Sequence, residues 1–163
     1  MTNRLDAARS VIRTAVAADL PALQQVFKAA SLSNAGDGPL LLARPEFLQF
    51  AGDGIAEGRT RVATTASEDG DQLLGFATVA VDPDGGLELE DLFVDPERRR
   101  RGIARQLVLD AIGTASQAGH RCLSVTGNPH ALGFYLAVGF VEVGQVATEL
   151  GCGLRMQLDL ART

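Results

Sequence analysis

Apolar residues change their spacing several times along the chain, and each change marks an element. Val11 to Thr14 reads as a short strand. Leu20, Leu23, Val26 and Phe27 recur at offsets of three and four, which predicts a helix from an Asp19 N-cap, with Pro21 soon after, to about Ala30. Ser31 to Pro39 is small, polar and turn-rich, so it reads as a loop. Phe47, Leu48 and Phe50 predict a second helix over Pro45 to Glu57, against the breaking tendency of Gly52 and Gly54.

The period then falls to that of strands. Arg61 to Thr65, Leu73 to Val81 and Leu87 to Val94 are predicted as consecutive antiparallel strands, joined by turns at Glu68-Asp69-Gly70-Asp71 and Asp82-Pro83-Asp84-Gly85-Gly86. A helix from Gly102 to about Ala118 follows, with Ile103, Leu107, Val108, Ala111, Ile112 and Ala115 on one face and Gly119 as its C′ residue. Arg121 to Gly127 reads as a strand, Pro129 to Val138 as a helix, and Phe140 to Gln145 and Gly153 to Leu160 as the last strands. The sum is an α/β (α+β) fold: a mixed, mostly antiparallel seven-stranded sheet flanked by about four helices. Residues 1–10 are expected to form a flexible tail, and residues 11–162 a single domain.

The length of 163 residues fits one domain that buries its own core. Cys122 and Cys152 are too few for a disulfide framework and have no Cys-x-x-Cys spacing, so reduced thiols and a cytoplasmic location are expected. His120 and His130 lack the spacing of a zinc motif, so no metal is expected. No apolar run approaches a membrane span, and the first ten residues do not form a signal sequence. The net charge is −5, which argues against a nucleic-acid partner. Its distribution is uneven. Arg98, Arg99, Arg100, Arg101 and Arg105 carry five of the fifteen positive charges, which leaves ten against twenty negatives, −10, elsewhere.

Those arginines lie where a strand stops at Asp95-Pro96 and a helix opens at Gly102. The first amides of a helix have no intrahelical partners, and the helix dipole adds partial positive charge there. Gly102 and the small Ala104 leave that end open to an anion the size of a pyrophosphate, and the arginines surround it with full charges.

At this point the chain resembles the Gcn5-related N-acetyltransferase superfamily. The superfamily's acetyl-CoA motif, Arg/Gln-x-x-Gly-x-Gly/Ala after a Val-x-Pro strand end, is matched by Val94-Asp95-Pro96 and Arg99-Arg100-Arg101-Gly102-Ile103-Ala104. A second motif, Asn-x-x-Ala-x-x-Phe/Tyr-Tyr-x-x-x-Gly-Phe, is matched from Asn128 through Tyr135 to Gly139-Phe140. The resemblance implies the acyl-CoA N-acyltransferase (GNAT) fold. Glycine often stands in that family at the positions of Arg100 and Ala104. Alanine is an accepted variant. The arginine sets the expectation that the turn needs no positive φ at residue 100 unless it is strained, with the amide facing phosphate.

The resemblance also implies roles. Backbone groups of Leu92, Phe93 and Val94 would pair with the pantetheine arm. The pyrophosphate would sit on Arg99, Arg100, Arg101, Gly102, Ile103 and Ala104, with Arg105 at the edge. Asn128 would bond the arm. Tyr135 would protonate the departing thiolate, as a phenol of ordinary pKa ~10 can at neutral pH. Strand alternation puts Glu88, Glu90, Leu92 and Val94 on one face, and Asp91 and Phe93 on the other. The Leu-Glu-Asp-Leu-Phe-Val run resembles that of polyamine acetyltransferases, which implies Glu90 as the general base, with Glu88 second.

Cys122 is expected to be buried on its strand, with no role as a nucleophile, because the family transfers directly to the amine. The expected activity is acetyl-CoA-dependent N-acetylation of a primary amine on a small molecule or peptide, in a ternary complex. The acidic remainder of the chain favours a cationic acceptor. The alternatives are an acyltransferase using another acyl chain or a hydroxyl acceptor, and a non-catalytic acyl-CoA sensor. Homodimers are common in the superfamily, and the residues leave the oligomeric state open.

Overall fold

Seven strands order as β1-β2-β3-β4-β5-β7-β6 in one mixed sheet among the described residues. A computed structural model describes residues 10–33, 37–65 and 70–160. The strands are β1 (Ser10–Thr14), β2 (Thr60–Thr65), β3 (Gln72–Val81), β4 (Leu87–Val94), β5 (Cys122–Gly127), β6 (Val141–Thr148) and β7 (Gly151–Asp159). Five helices accompany them: α1 (Leu20–Ser33), α2 (Gly38–Ala43), α3 (Asp53–Ala56), α4 (Ile103–Gln117) and α5 (Leu132–Val138). Among the described residues no helix is long and apolar enough to cross a membrane.

The chain divides into two compact units, one of residues 1–78 and 91–108, the other of residues 79–90 and 109–163. In the first, β1 pairs antiparallel with β2, and β2 with β3 through a shift between Ala63 and Thr64. Its core is Ala15, Leu23, Val26, Val62 and Phe76, with Phe27, Phe50, Ile55, Leu73 and Phe93 packed against it. Phe93 meets Phe27 edge-on, with centroids 4.8 Å apart, and lies 5.6 Å from Phe76. Those ring contacts fix the β4 end of this unit by apolar burial and aromatic geometry. At its start, Arg13 grips both oxygens of Asp19, at 2.8 and 3.0 Å, and the Val16 amide donates to one of them. The hydrogen bond from Arg13 leads in holding the Asp19 carboxyl below the usual carboxylate range.

In the second unit, β4 runs parallel to β5 over Leu87–Leu89 and Leu123–Val125. β5 pairs antiparallel with β7 from Cys122↔Asp159 to Gly127↔Leu154, and β7 with β6. Its buried apolar residues include Leu87, Leu89, Leu123, Val125, Tyr135, Phe140, Leu154 and Met156. All eight residues of β6 are exposed. The long helix α4 closes on glycine. The His120 amide reaches the Ala115 carbonyl at 3.0 Å and the Gly119 amide the Ser116 carbonyl at 3.1 Å, the two bonds of a Schellman cap.

Several local expectations need correction. The loop expected over Ser31 to Pro39 is partly helical: α1 runs on to Ser33, and Pro39 sits in the first turn of α2, where its missing N–H costs nothing. The single helix expected over Pro45 to Glu57 is a 3₁₀ turn at Pro45–Leu48 followed by the short α3. Gly52 takes φ 77°, and Gln49 is extended, so the chain between the two turns carries the Phe50 ring to Phe27 and Phe76. Aromatic burial overrides the helical spacing there. Ser10 belongs to β1, while residues 1–9 of the expected tail and residues 66–69 of the expected turn lie outside the described residues. β6 and β7 begin and end later or earlier than expected because their hairpin turns at Glu149-Leu150.

Candidate active site

The turn after β4 is built from Asp95 onward. The Asp95 amide donates to the Leu74 carbonyl on β3 at 2.9 Å, and its carboxylate caps the 3₁₀ turn Pro96–Arg98 by accepting from the Glu97 amide at 3.0 Å. Arg99 is extended, at φ −66° and ψ 156°. Arg100 then has φ 63°, the only positive φ outside glycine among the described residues. The turn takes a left-handed residue at this position, the conformation that an arginine was expected to adopt only with strain, and an L side chain occupies it at a cost.

Gly102 follows at φ 81°. A Cβ there would meet nothing within 4 Å, so the glycine serves backbone conformation and leaves the approach open. Its carbonyl accepts from the Gln106 amide at 3.0 Å, which starts α4 and leaves the amides of Ile103, Ala104 and Arg105 as first-turn donors outside the helical ladder. Ile103 is 2% exposed and anchors the turn below, while Arg99, Arg100 and Arg105 are exposed and Arg101 is half-buried. Arg99 also donates to the Ser33 hydroxyl at the end of α1, a contact with no signal in the sequence.

Leu92, Phe93 and Val94 lead into this turn, all half-buried. Close approach of β3 to this stretch depends on Gly75, where a Cβ would lie 2.7 Å from the Phe93 carbonyl oxygen and 3.2 Å from the Val94 Cα. Nothing in a lone glycine between Leu74 and Phe76 announces that contact.

The second unit holds the remaining candidates. Leu87 and Leu89 are buried, Glu88 is half-buried and Glu90 exposed, so the expected alternation holds over this stretch. The Glu88 carboxylate accepts from Arg155 of β7 at 2.7 Å. Asn128 caps the 3₁₀ turn Pro129–Ala131, its Oδ1 accepting from the His130 amide at 2.9 Å. Tyr135 lies on α5, 6% exposed, with its ring edge-on to Phe134 and Phe140 at 5.1 and 5.4 Å. Gly127 makes room for it: a Cβ there would come within 3.1 Å of the Tyr135 ring. Burial pushes the Tyr135 phenol up to about 12, so it stays neutral across any physiological pH. Cys122 is half-buried rather than buried, because it opens its strand at the rim, opposite Asp159, and Cys152 is exposed; both are free thiols.

Residues 25–140 match the acetyltransferase (GNAT) family. Streptothricin acetyltransferase of Streptomyces lavendulae is 36% identical over an alignment of 115 residues that covers 66% of this chain and 60% of that protein's length. Among solved structures, the PaiA N-acetyltransferase of Thermoplasma acidophilum in complex with coenzyme A superposes with a TM-score of 0.72 at 19% identity, over 92% of this chain and 98% of that one. The protein yncA of Salmonella typhimurium with its cofactor acetyl-CoA gives 0.67 at 21% identity, over 93% and 94%. These structures share the fold.

Proposed function

This chain belongs to the acetyltransferase (GNAT) family, and on that premise we propose that it transfers the acetyl group of acetyl-CoA to a primary amine by direct attack in a ternary complex. The observation that carries the reading is the turn from Asp95 to Gly102. It holds Arg100 at φ 63° and Gly102 at φ 81° immediately before the first-turn amides of α4. Backbone strain at an arginine-rich helix start is what a fold retains when those amides have an anion to bind.

In this reading, Arg99, Arg100, Arg101, Gly102, Ile103 and Ala104 hold the pyrophosphate, with Arg105 at the edge. Backbone groups of Leu92, Phe93 and Val94 pair with the pantetheine arm, and the amide side of Asn128 bonds it as well. Glu90 takes the proton of the acceptor ammonium, so that the neutral nitrogen attacks the thioester carbonyl. An amide of Phe93 or Val94 polarises that carbonyl. The N–C bond forms, the C–S bond breaks, and Tyr135 gives the departing sulfur its proton; the second proton that the nitrogen sheds on becoming an amide passes through solvent to restore the phenol, and Glu90 returns its own to solvent. Glu88 is the second candidate for the base, but the Arg155 guanidinium already engages its carboxylate.

The acceptor is a cationic amine, favoured by the −10 balance outside the arginine turn. The free thiols Cys122 and Cys152 suit the reducing cytoplasm. A homodimer is supported by β6, which ends the strand order with all of its residues exposed. The test is release of CoA thiol from acetyl-CoA over a panel of amines that includes streptothricin and polyamines, after acetyl-CoA binding has been measured by calorimetry. Turnover with at least one amine is expected. Tight acetyl-CoA binding without thiol release from any amine would turn the reading into that of a sensor.

A further inference from the structure

The parallel ladder of β4 and β5 has its last rung at Leu89↔Val125, although β4 runs on to Val94 and β5 to Gly127. β5 stays paired with β7 beyond that rung, through Thr126↔Arg155 and Gly127↔Leu154. Arg155 therefore stands directly opposite Thr126, and its side chain crosses β5 to reach β4. The same Nη1 donates to Glu88 Oε1 at 2.7 Å and to Thr126 Oγ1 at 3.1 Å. Glu88 precedes the last rung by one residue on β4, and Thr126 follows it by one on β5. The bridge spans the point where the two strands cease to pair.

From β7 to β4 is two strand spacings, roughly 9.6 Å. Two long side chains meeting end to end can cover that distance, and the terminal nitrogen of arginine lies one bond farther from the backbone than that of lysine and carries two donors for the two acceptors. The ion pair is about 30% exposed on each side, with side chains at 27% and 30%. Pairs of that exposure add little to global stability. What this one adds is geometric, because a functional candidate lies two residues past the bridge on each side: Glu90 after Glu88 on β4, and Asn128 after Thr126, just beyond the end of β5.

We propose that Arg155 is a positioning residue, a clip that ties β4 to β5 at the end of their ladder and so sets the places of Glu90 and Asn128. Its kinetic consequence rests on the acetyl-transfer reading, but the clip itself does not. Glu88 is the anchor of the clip on β4.

The test uses the full chain with Arg155→Met, Arg155→Lys, Glu88→Gln and the Glu88→Gln/Arg155→Met double substitution. Amide hydrogen exchange of the ligand-free protein is read first. Arg155→Met is expected to speed exchange about tenfold at Glu88 to Glu90 and Thr126 to Asn128, while Cys122 and Leu123 at the far end of β5 keep their rates. Unchanged exchange, or an equal rise throughout the second unit with a lower melting temperature, would overturn the clip.

Steady-state kinetics are read second. Each single substitution is expected to lower kcat/KM about tenfold, the double substitution by no more than either, and lysine to restore part of the loss. Multiplying losses would also overturn it. A wild-type chain that releases no thiol from acetyl-CoA sinks the acetyl-transfer reading, and the exchange rates still decide the clip.

Discussion

The Phe140 amide donates to the Tyr135 carbonyl at 3.0 Å, and the two rings meet edge-on with centroids 5.4 Å apart. Gly139, between them at φ 119°, allows the reversal, and its own amide bonds the Leu136 carbonyl at 3.1 Å. The glycine–phenylalanine pair that closes the second motif is thus the cap and the packing partner of its tyrosine. Tyr135 is held by its backbone, by Phe140 and by Phe134, so removing the hydroxyl alone should leave the fold intact. Tyr135→Phe is expected to keep its melting temperature within a few degrees and to lower kcat about 10²-fold or more. Thermal melts, calorimetry with acetyl-CoA and thiol release check the three parts.

Burial of that phenol has a consequence for pH. Its folded pKa of about 12 lies above the ordinary value of 10.0. Between these values the unfolded chain ionises its tyrosine while the folded chain keeps the proton. Stability is therefore unaffected below pH 10 and falls across the window from pH 10 to 12, by roughly 3 kcal/mol. Melting curves of the wild type and Tyr135→Phe over that range should diverge, with the phenylalanine variant losing less. The rate should show no descending limb from Tyr135 below about pH 11.

Arg100 gives a prediction of opposite sign for stability and binding. A left-handed φ costs an L-residue roughly 1–2 kcal/mol, and glycine offsets most of that relief by its larger unfolded entropy, roughly 0.5–1 kcal/mol. Arg100→Gly should raise stability by up to about 1 kcal/mol. It should also weaken acetyl-CoA binding at low salt, where the lost charge counts, and less so at high salt. Denaturant unfolding and calorimetry at two ionic strengths measure the two effects.

Gly75→Ala would place a methyl group 2.7 Å from the Phe93 oxygen, a contact that only a backbone shift relieves. Overpacking of this kind costs about 1–3 kcal/mol. The shift falls on the stretch proposed to pair with the pantetheine arm, so KM for acetyl-CoA is expected to rise about tenfold, with the KM for the amine nearly unchanged.

Glu90→Ala should slow turnover about 10²-fold at neutral pH and change the pH dependence of kcat/KM, while acetyl-CoA still binds. A pH–rate profile that matches the wild type would remove Glu90 from the base role.

Much of this was legible along the chain. Gly102, Gly119, Gly139 and Asn128 act on residues within five positions of themselves, through turn conformation and capping bonds, and Gly119 closes its helix as expected. The apolar face of α4 is likewise buried at Ile103, Leu107, Val108, Ala111 and Ala115. The failure at Pro45 to Glu57 has a different cause. Phe47, Leu48 and Phe50 have helical spacing, but Phe50 is claimed by rings 23 and 26 positions away in Phe27 and Phe76. Arg155 had no signal at all: an arginine in an alternating strand is ordinary until a register sets it opposite Thr126 and within reach of Glu88.

The sequence by itself therefore determined the order of the seven strands and of α1, α4 and α5, the arginine–glycine turn and the tyrosine motif, because each depends on neighbours a few residues away. Only the tertiary structure decided that Arg100 bears a positive φ, that Gly75 lets β3 close on Phe93, and that Glu88 is tied by Arg155 while Glu90 is exposed. The last two outcomes depend on distances between strands far apart in the chain, which alternation and composition leave undetermined.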